Sequence, residues 1–448
     1  MFFEKLRKNE KFLLLCCMFF LIIGSMTIFK ELQSSIFIRL VGVEFVPIAK
    51  TLSVFLMIPF VLIYSYFVDK LTNTMLLSRI LLFFGLFGVI FGVFLGTDRF
   101  GIYNQEMSPF RVLGWLFYWY IDAFPPFIVS TFWAFTNSLH TPDEAKKNYS
   151  FLVSSSKMGG MFGASIGYLI TSGYISSSFS GEFKTLLLIF CGSFFLLLGS
   201  LVVFSTRKKP NFLPVLNSNL AAKEAKKSEK KKTGIFEGLF LLFKKPYTLG
   251  IFATVLSFEV VNQVVNYQRL LFNSEKSSSI DSLNSMLYYQ AFFPHFCGFF
   301  ISIIGTTYLF RVLGIRKTLI LVPLLIFMIV LWFMISPTGL SITVAYTGVH
   351  AICYAIVGPL RENLYVITSR DIQFKVKAWI DSVGMRISKT TGQQINLLSG
   401  LIHKIYGAAV SSHFTAGIFG LIIVMWIFVA YKLGNKYTAC VRDKQVIE

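Results

Sequence analysis

Lys375 to Ile395 reads KVKAWIDSVGMRISKTTGQQI, and its pattern predicts one continuous helix carrying Asp381, Arg386 and Lys389. Residues of these types bind anions. A guanidinium grips a phosphate or carboxylate through two parallel hydrogen bonds, and an ammonium adds a mobile point charge. Asp381 and Arg386 are five positions apart, so an ion pair between them is possible but strained, and Lys389 one turn further on leaves a net cation. The run Gly384-Met-Arg-Ile-Ser-Lys389-Thr390 also approaches a phosphate-binding loop. That loop needs glycine immediately before its lysine, where Ser388 stands, together with a preceding strand and an exposed helix N-terminus. The middle of an apolar helix supplies neither, which excludes the loop.

Other charges sit inside apolar runs: Lys30, Glu31, Asp122, Lys157, Glu259, Arg269, Arg361 and Glu362. Taken singly, each reads equally well as half of an interhelical ion pair, and Glu31, Asp122 and Glu259 read better so. As a group, Lys30, Lys157, Arg269, Arg386 and Lys389 exceed the nearby carboxylates if they converge. A cationic cavity of that kind suits an anionic solute. No nucleophile–base pair, paired catalytic carboxylates or metal-ligand spacing is visible, and the five histidines and six cysteines form no cluster. The expectation is a protein that is not an enzyme and has no metal or cofactor.

The elements that hold these residues follow from composition. The chain has 448 residues, of which 55% are hydrophobic and 14% charged, against about 25% charged in soluble proteins. Phe12 to Phe29, Val54 to Val68, Leu186 to Ser205 and Thr318 to Ser336 are nearly uncharged runs of membrane-spanning type. This predicts an all-α polytopic membrane protein, with the lipid bilayer as a partner, and excludes a soluble two-domain enzyme. The net charge of +20 does not point to nucleic acid, because the lysines fall mostly on alternate short connections, as the positive-inside rule requires. Twelve spans are expected, centred near residues 22, 57, 86, 125, 160, 195, 258, 296, 327, 354, 389 and 423, with both termini cytoplasmic. Met1 to Phe29 reads as a retained first helix, not a cleaved signal. Residues 1–206 and 246–448 form two six-helix halves joined by a basic cytoplasmic linker, 207–245. The expected state is a monomer.

If the eleventh helix starts near Lys375, Asp381 lies roughly 9 Å in, Arg386 roughly 16 Å and Lys389 roughly 21 Å, within a core about 30 Å thick. Facing lipid, the three would cost on the order of 8 to 10 kcal/mol. They should therefore face a water-filled cavity or each other. In the fifth helix, Gly159, Gly163 and Gly167 stack on one face, where another helix can approach closely; a helix of the other half is the expected partner.

Two connections, Tyr66 to Leu76 and Tyr308 to Thr318, resemble a degraded loop signature of the major facilitator superfamily. Four segments resemble the ATP/ADP translocases, the nucleotide antiporters of intracellular bacteria and plastids. They are Ile28 to Ser65, Phe132 to Leu152, NQVVNYQRLLF from Asn262 to Phe272, and the opening stretch, which is the closest match. The resemblance implies a major-facilitator-like fold and exchange of nucleotides across the bacterial inner membrane by alternating access. It implies solute-contacting roles for Lys30, Glu31, Asn137, Asn262, Arg269, Asp381, Arg386 and Lys389, with Trp133 matching the helix-four pattern; Lys157 joins this set as an intramembrane cation. Gln33, Ser138 and Val265 stand where that family carries a lysine and two carboxylates. The solute therefore reads as a nucleotide or a related phosphorylated or anionic metabolite. The alternative is a proton-coupled transporter of the same fold with an unrelated solute.

Overall fold

The computed structural model describes residues 2–139, 142–174, 178–207, 237–304, 306–369 and 376–443, with positions 209, 212, 372, 445 and 447. Most of the basic linker, and Arg370 and Lys375, lie outside the described residues. The described chain is helical: α1 (Phe2–Leu40), α2 (Val46–Lys70), α3 (Asn73–Leu95), α4 (Val112–Asp122), α5 (Ser130–Leu139), α6 (Pro142–Thr171), α7 (Gly181–Ser205), α8 (Glu237–Lys244), α9 (Pro246–Lys276), α10 (Ile280–Ile304), α11 (Thr306–Ile335), α12 (Gly339–Ile352), α13 (Gly358–Val366), α14 (Met385–Tyr406) and α15 (Ala408–Arg442). Among the described residues there is no strand, only an isolated bridge between Thr368 and Ile447. All twelve expected span centres fall in α- or π-helical turns.

Among the described residues, seven helices are long and apolar enough to cross a membrane. The α14 helix is not one of them. Its turns carry Arg386, Lys389, Gln393, Gln394 and Asn396, which lipid would penalise and a lined cavity would not.

Three segments widen into π-turns: Pro125–Val129 between α4 and α5, Cys353–Val357 between α12 and α13, and Ile380–Gly384 before α14. Proline explains the first two. Pro125 and Pro126, and Pro359, lack the amide hydrogen that an unbroken α-helix needs there. The third lies inside the expected helix of the opening stretch, which runs without a break from Val376 to Tyr406. A single α-turn, Lys377–Trp379, is followed by the π-turn holding Asp381, and only then by α14 with Arg386 and Lys389.

Helix boundaries follow local chemistry. Thr72 caps α3 by accepting from Met75 N at 3.5 Å, Ser180 caps α7 by accepting from Phe183 N at 3.3 Å, and Thr338 and Ser341 cap α12 reciprocally. Gly314 breaks α11 with a φ of 73°. A Cβ there would meet nothing within 4 Å, so its only penalty is conformational. Gly314→Ala is expected to destabilise the protein by about 1 to 2 kcal/mol, read as a lower unfolding midpoint in detergent.

Contacts divide the chain into two compact units. The first is Met1–Val215 with Leu270–Ile303, and the second is Leu216–Arg269 with Ile304–Glu448. In the first, α1 packs along α6 and α3 along α7. Ser78 and Ser200 exchange hydrogen bonds across α3 and α7, Ser78 Oγ to Ser200 O at 3.2 Å and Ser200 Oγ to Ser78 O at 2.8 Å. Such pairs, with small residues, replace the missing hydrophobic drive between helices in lipid.

The glycines of α6 show this most clearly. A Cβ on Gly159 would lie 2.2 Å from Phe20 O, and one on Gly163 2.4 Å from Gly24 O, so both glycines admit the backbone of α1. Gly167 admits the Tyr288 ring of α10 instead. Of the three, only Gly167 therefore meets the expected partner from the second half, while Gly159 and Gly163 serve contact within the first half. A helical repeat of 3.6 residues explains the split, because four-residue steps drift around the helix.

In the second unit α11 packs along α15 and α14 along α15. Ser399, Ser411 and Thr415 form a buried hydroxyl cluster between α14 and α15, with Oγ–Oγ and Oγ–Oγ1 separations of 2.9 Å.

Candidate functional site

In the first unit, Lys30 and Glu31 sit mid-helix on α1, Lys30 half-buried and Glu31 only 2% exposed. Lys157 of α6 is also buried. Its aliphatic end lies against Gly298 of α10, where a Cβ would come within 3.3 Å of Cε. All three charged groups are engaged by neighbours.

His295 of α10, which spacing alone did not flag, completes this region. Lys30 and Lys157 are both within electrostatic reach of its ring. Its Nε2 is 3.1 Å from Thr27 Oγ1. The Thr27 hydroxyl donates to Ile23 O at 2.9 Å, so Thr27 accepts from His295 Nε2–H and Nδ1 keeps a lone pair. That nitrogen packs against Gly160 and finds no donor among the described residues. Nearby, Tyr288 Oη donates to Ile28 O at 2.8 Å, and Lys184 Nζ pairs with Asp281 Oδ2 at 2.6 Å. Asn137 is exposed on α5, and Trp133 packs edge-on to Phe19 with centroids 5.3 Å apart. The proline-bearing π-turn sets the rotation at which α5 presents both residues.

In the second unit, Asp381 does not pair with Arg386. Its Oδ1 lies 3.2 Å from Arg361 Nη1, and Lys377 pairs with Glu362 at 2.5 Å. Arg386 and Lys389 remain half-buried, one turn apart. Neither makes an ion pair among the described residues, where the nearest carboxylate in sequence has been diverted to Arg361.

The α9 helix packs on α14 through amides. Gln393 Nε2 donates to Gln263 Oε1 at 2.6 Å and Asn396 Nδ2 to Gln263 O at 3.2 Å. Gly392 permits this, since a Cβ there would be 2.7 Å from Gln263 Cβ. On the same helix as Gln263, Asn262 Oδ1 and Glu259 Oε2 are shielded and find no donor among the described residues. Arg269 is 1% exposed, with its guanidinium 3.9 Å from the centroid of Tyr346. That cation–π contact seals it from solvent in this conformation.

Arg386 and Lys389 are side chains of the types that grip anions. Among the described residues no group of three or more His, Cys, Asp or Glu side chains is placed to hold a metal.

Comparison with known proteins gives the fold and the family. Among solved structures, the chain is similar to a D-xylose–proton symporter, with a TM-score of 0.64 at 13% identity, covering 94% of this chain and 97% of that one. It is also similar to a point mutant of the nucleoside transporter NupG, with a TM-score of 0.57 at 15% identity, covering 96% and 99%. At these identities the likeness shows the fold, which is major-facilitator-like. In sequence, the chain is 24% identical to ADP,ATP carrier protein 1, chloroplastic, of Arabidopsis thaliana, across 98% of this chain and 76% of the relative. It is 24% identical to the plastidic ATP/ADP-transporter of Solanum tuberosum, across 96% and 73%. A shorter match, 23% identical over 20% of this chain and 18% of the relative, is to ADP,ATP carrier protein 1 of Rickettsia prowazekii. The family model of the TLC ATP/ADP transporter matches residues 4–339, so the chain belongs to this family of membrane transporters and is not an enzyme.

Proposed function

We propose that the protein is a secondary transporter that carries a nucleotide, or a related phosphorylated anion, across a bacterial inner membrane by alternating access, in exchange for a second such solute. The observation that carries this reading is the pair Arg386 and Lys389. Each isolated cation at membrane depth costs about 2.5 to 3.5 kcal/mol. Two of them, with the adjacent carboxylate engaged elsewhere, are kept only where an anion arrives. A guanidinium and an ammonium one turn apart match the adjacent phosphates of a nucleoside di- or triphosphate.

Lys30 and Lys157 are further cations for the solute, with Glu31 balancing their charge when no solute is bound. Asn137 and Asn262 present amides to the uncharged part of the solute, and the donor-free Asn262 Oδ1 suits a solute hydroxyl or amine. Arg269 and Asp381 hold their neighbours in place and reach the solute as the helices rearrange. Twelve spans with cytoplasmic termini, in two halves joined by the basic linker of 207–245, and a monomeric state complete the proposal.

The test is uptake of radiolabelled ATP and ADP by bacterial cells expressing the protein. Accumulation that is released by adding unlabelled nucleotide outside is the expected result. Absence of uptake and exchange of every nucleotide, with the protein shown in the membrane, removes the reading. Thermal stabilisation by unphosphorylated compounds alone would favour the proton-coupled alternative.

A further inference from the structure

The α8 helix stands in the second unit, one residue before α9, and carries two exposed aromatic rings. Phe240 is 66% exposed and Phe243 63% exposed, whereas Leu242 is buried. Positions 240, 243 and 244 fall on one helix face at i, i+3 and i+4 spacing. Lys244 is exposed there, with its Nζ 5.6 Å from the centroid of the Phe240 ring. Lys245 follows, half-buried.

The helix is fixed in this attitude. Thr248 Oγ1, on the first turn of α9, donates to Lys245 O at 2.8 Å and lies 3.0 Å from Leu242 O. Tyr247 Oη donates to Leu364 O of α13 at 2.9 Å. The α8 helix also packs on the turn Lys377–Trp379. Exposure of the two rings is therefore built into the fold and is not the fraying of a loose end.

Helix length sets the level at which α8 stands. The α9 helix has 31 residues and so is about 46 Å long, against about 40–45 Å for a bilayer with its headgroups. Lys244 and Lys245 then lie at headgroup level at one end, and Lys276 at the other. Rings beside ammonium groups suit that boundary, where the rings meet acyl chains and the ammonium groups meet phosphate. Bulk water would leave two large rings uncovered, and hydrocarbon would strand two lysines. Charge selects the kind of lipid. The connection 207–245 has eleven basic and three acidic residues, which favours an anionic leaflet over a neutral one.

We propose that α8, with Lys244 and Lys245, is a docking surface for anionic phospholipid. Phe240 and Phe243 enter the acyl boundary, and the two ammonium groups take the lipid phosphate. Because α8 rests on the turn that precedes Asp381 and α14, docked lipid braces the segment leading to Arg386 and Lys389. The inference is independent of the identity of the solute.

The experiment titrates phosphatidylglycerol into the purified full-length protein in a neutral detergent and follows the unfolding midpoint, which a ligand of the folded state raises. Wild type is expected to gain stability with phosphatidylglycerol and not with phosphatidylcholine. Lys244→Gln/Lys245→Gln is expected to unfold as wild type without lipid, and to need on the order of thirtyfold more phosphatidylglycerol for the same gain. Phe240→Ser/Phe243→Ser is expected to weaken the response as well. Lys276→Gln, which removes an equal charge at the far end of α9, is expected to respond as wild type. Lys244→Gln alone, at an exposed side chain, repeats the test if the double lysine variant does not fold. A wild-type response in the lysine variants, as results if other residues of the connection cover α8, overturns the proposal. So does equal stabilisation by phosphatidylcholine, or a loss in Lys276→Gln as large as in the double lysine variant, which marks an effect of overall charge.

Discussion

Arg386→Ala and Lys389→Ala are each expected to weaken nucleotide binding by about ten- to a hundredfold, and the double variant to abolish measurable uptake. The magnitude follows from losing one charge-assisted contact of about 1.5 to 3 kcal/mol per residue. Both side chains are half-buried on α14, and neither pairs with a carboxylate among the described residues. Removing either one therefore strands no partner charge, and the unfolding midpoint should hold or rise. Calorimetry with ATP and ADP, alongside thermal unfolding, separates the two effects. Unchanged affinity in both single variants would exclude these residues from the site. Asp381→Asn has a different signature. It strips Arg361 of its partner at 3.2 Å, so its main cost should appear in stability.

Gly159→Ala and Gly163→Ala are expected to be strongly damaging single-methyl changes in the first unit. The added Cβ would sit 2.2 Å from Phe20 O and 2.4 Å from Gly24 O, and both obstacles are backbone, which cannot rotate away. Overpacking of this kind costs about 1 to 3 kcal/mol or more. Relief would require α1 to move off α6, taking Lys30 and Glu31 with it. Loss of folded protein from the membrane and a lowered unfolding midpoint are the readouts. Gly417→Ala is the control: nothing lies within 4 Å of its Cβ position on α15. There alanine's better helix propensity, worth about 1 kcal/mol, should leave stability unchanged or improved. Equal effects at all three positions would mean that the α1–α6 contact is not close-packed.

Much of the candidate site was legible because charge inside an apolar run is conspicuous. Lys30, Glu31, Lys157, Arg269, Arg386 and Lys389 are detected by the cost of burying them, without knowledge of any contact. His295 escaped for the opposite reason, because a lone histidine carries no spacing signal. Gln263, Gln393 and Asn396 escaped because neutral amides interrupt hydropathy only slightly, although together they join α9 to α14.

The linear sequence by itself determined the helical class, the positions of the helix centres, the family and the presence of cations inside apolar runs. Those properties depend on the hydropathy and charge of consecutive residues, which neighbours in space do not alter. The tertiary structure decided which charges are spoken for. It gave Asp381 to Arg361, sealed Arg269 beneath Tyr346, set Lys50 against Asp122, and turned Gly159 and Gly163 toward α1. Partner choice turns on the rotation of one helix against the next. In the second unit that rotation is reset by the single extra residue of a π-turn at Ile380–Gly384, a change that no count of spacings along the chain contains.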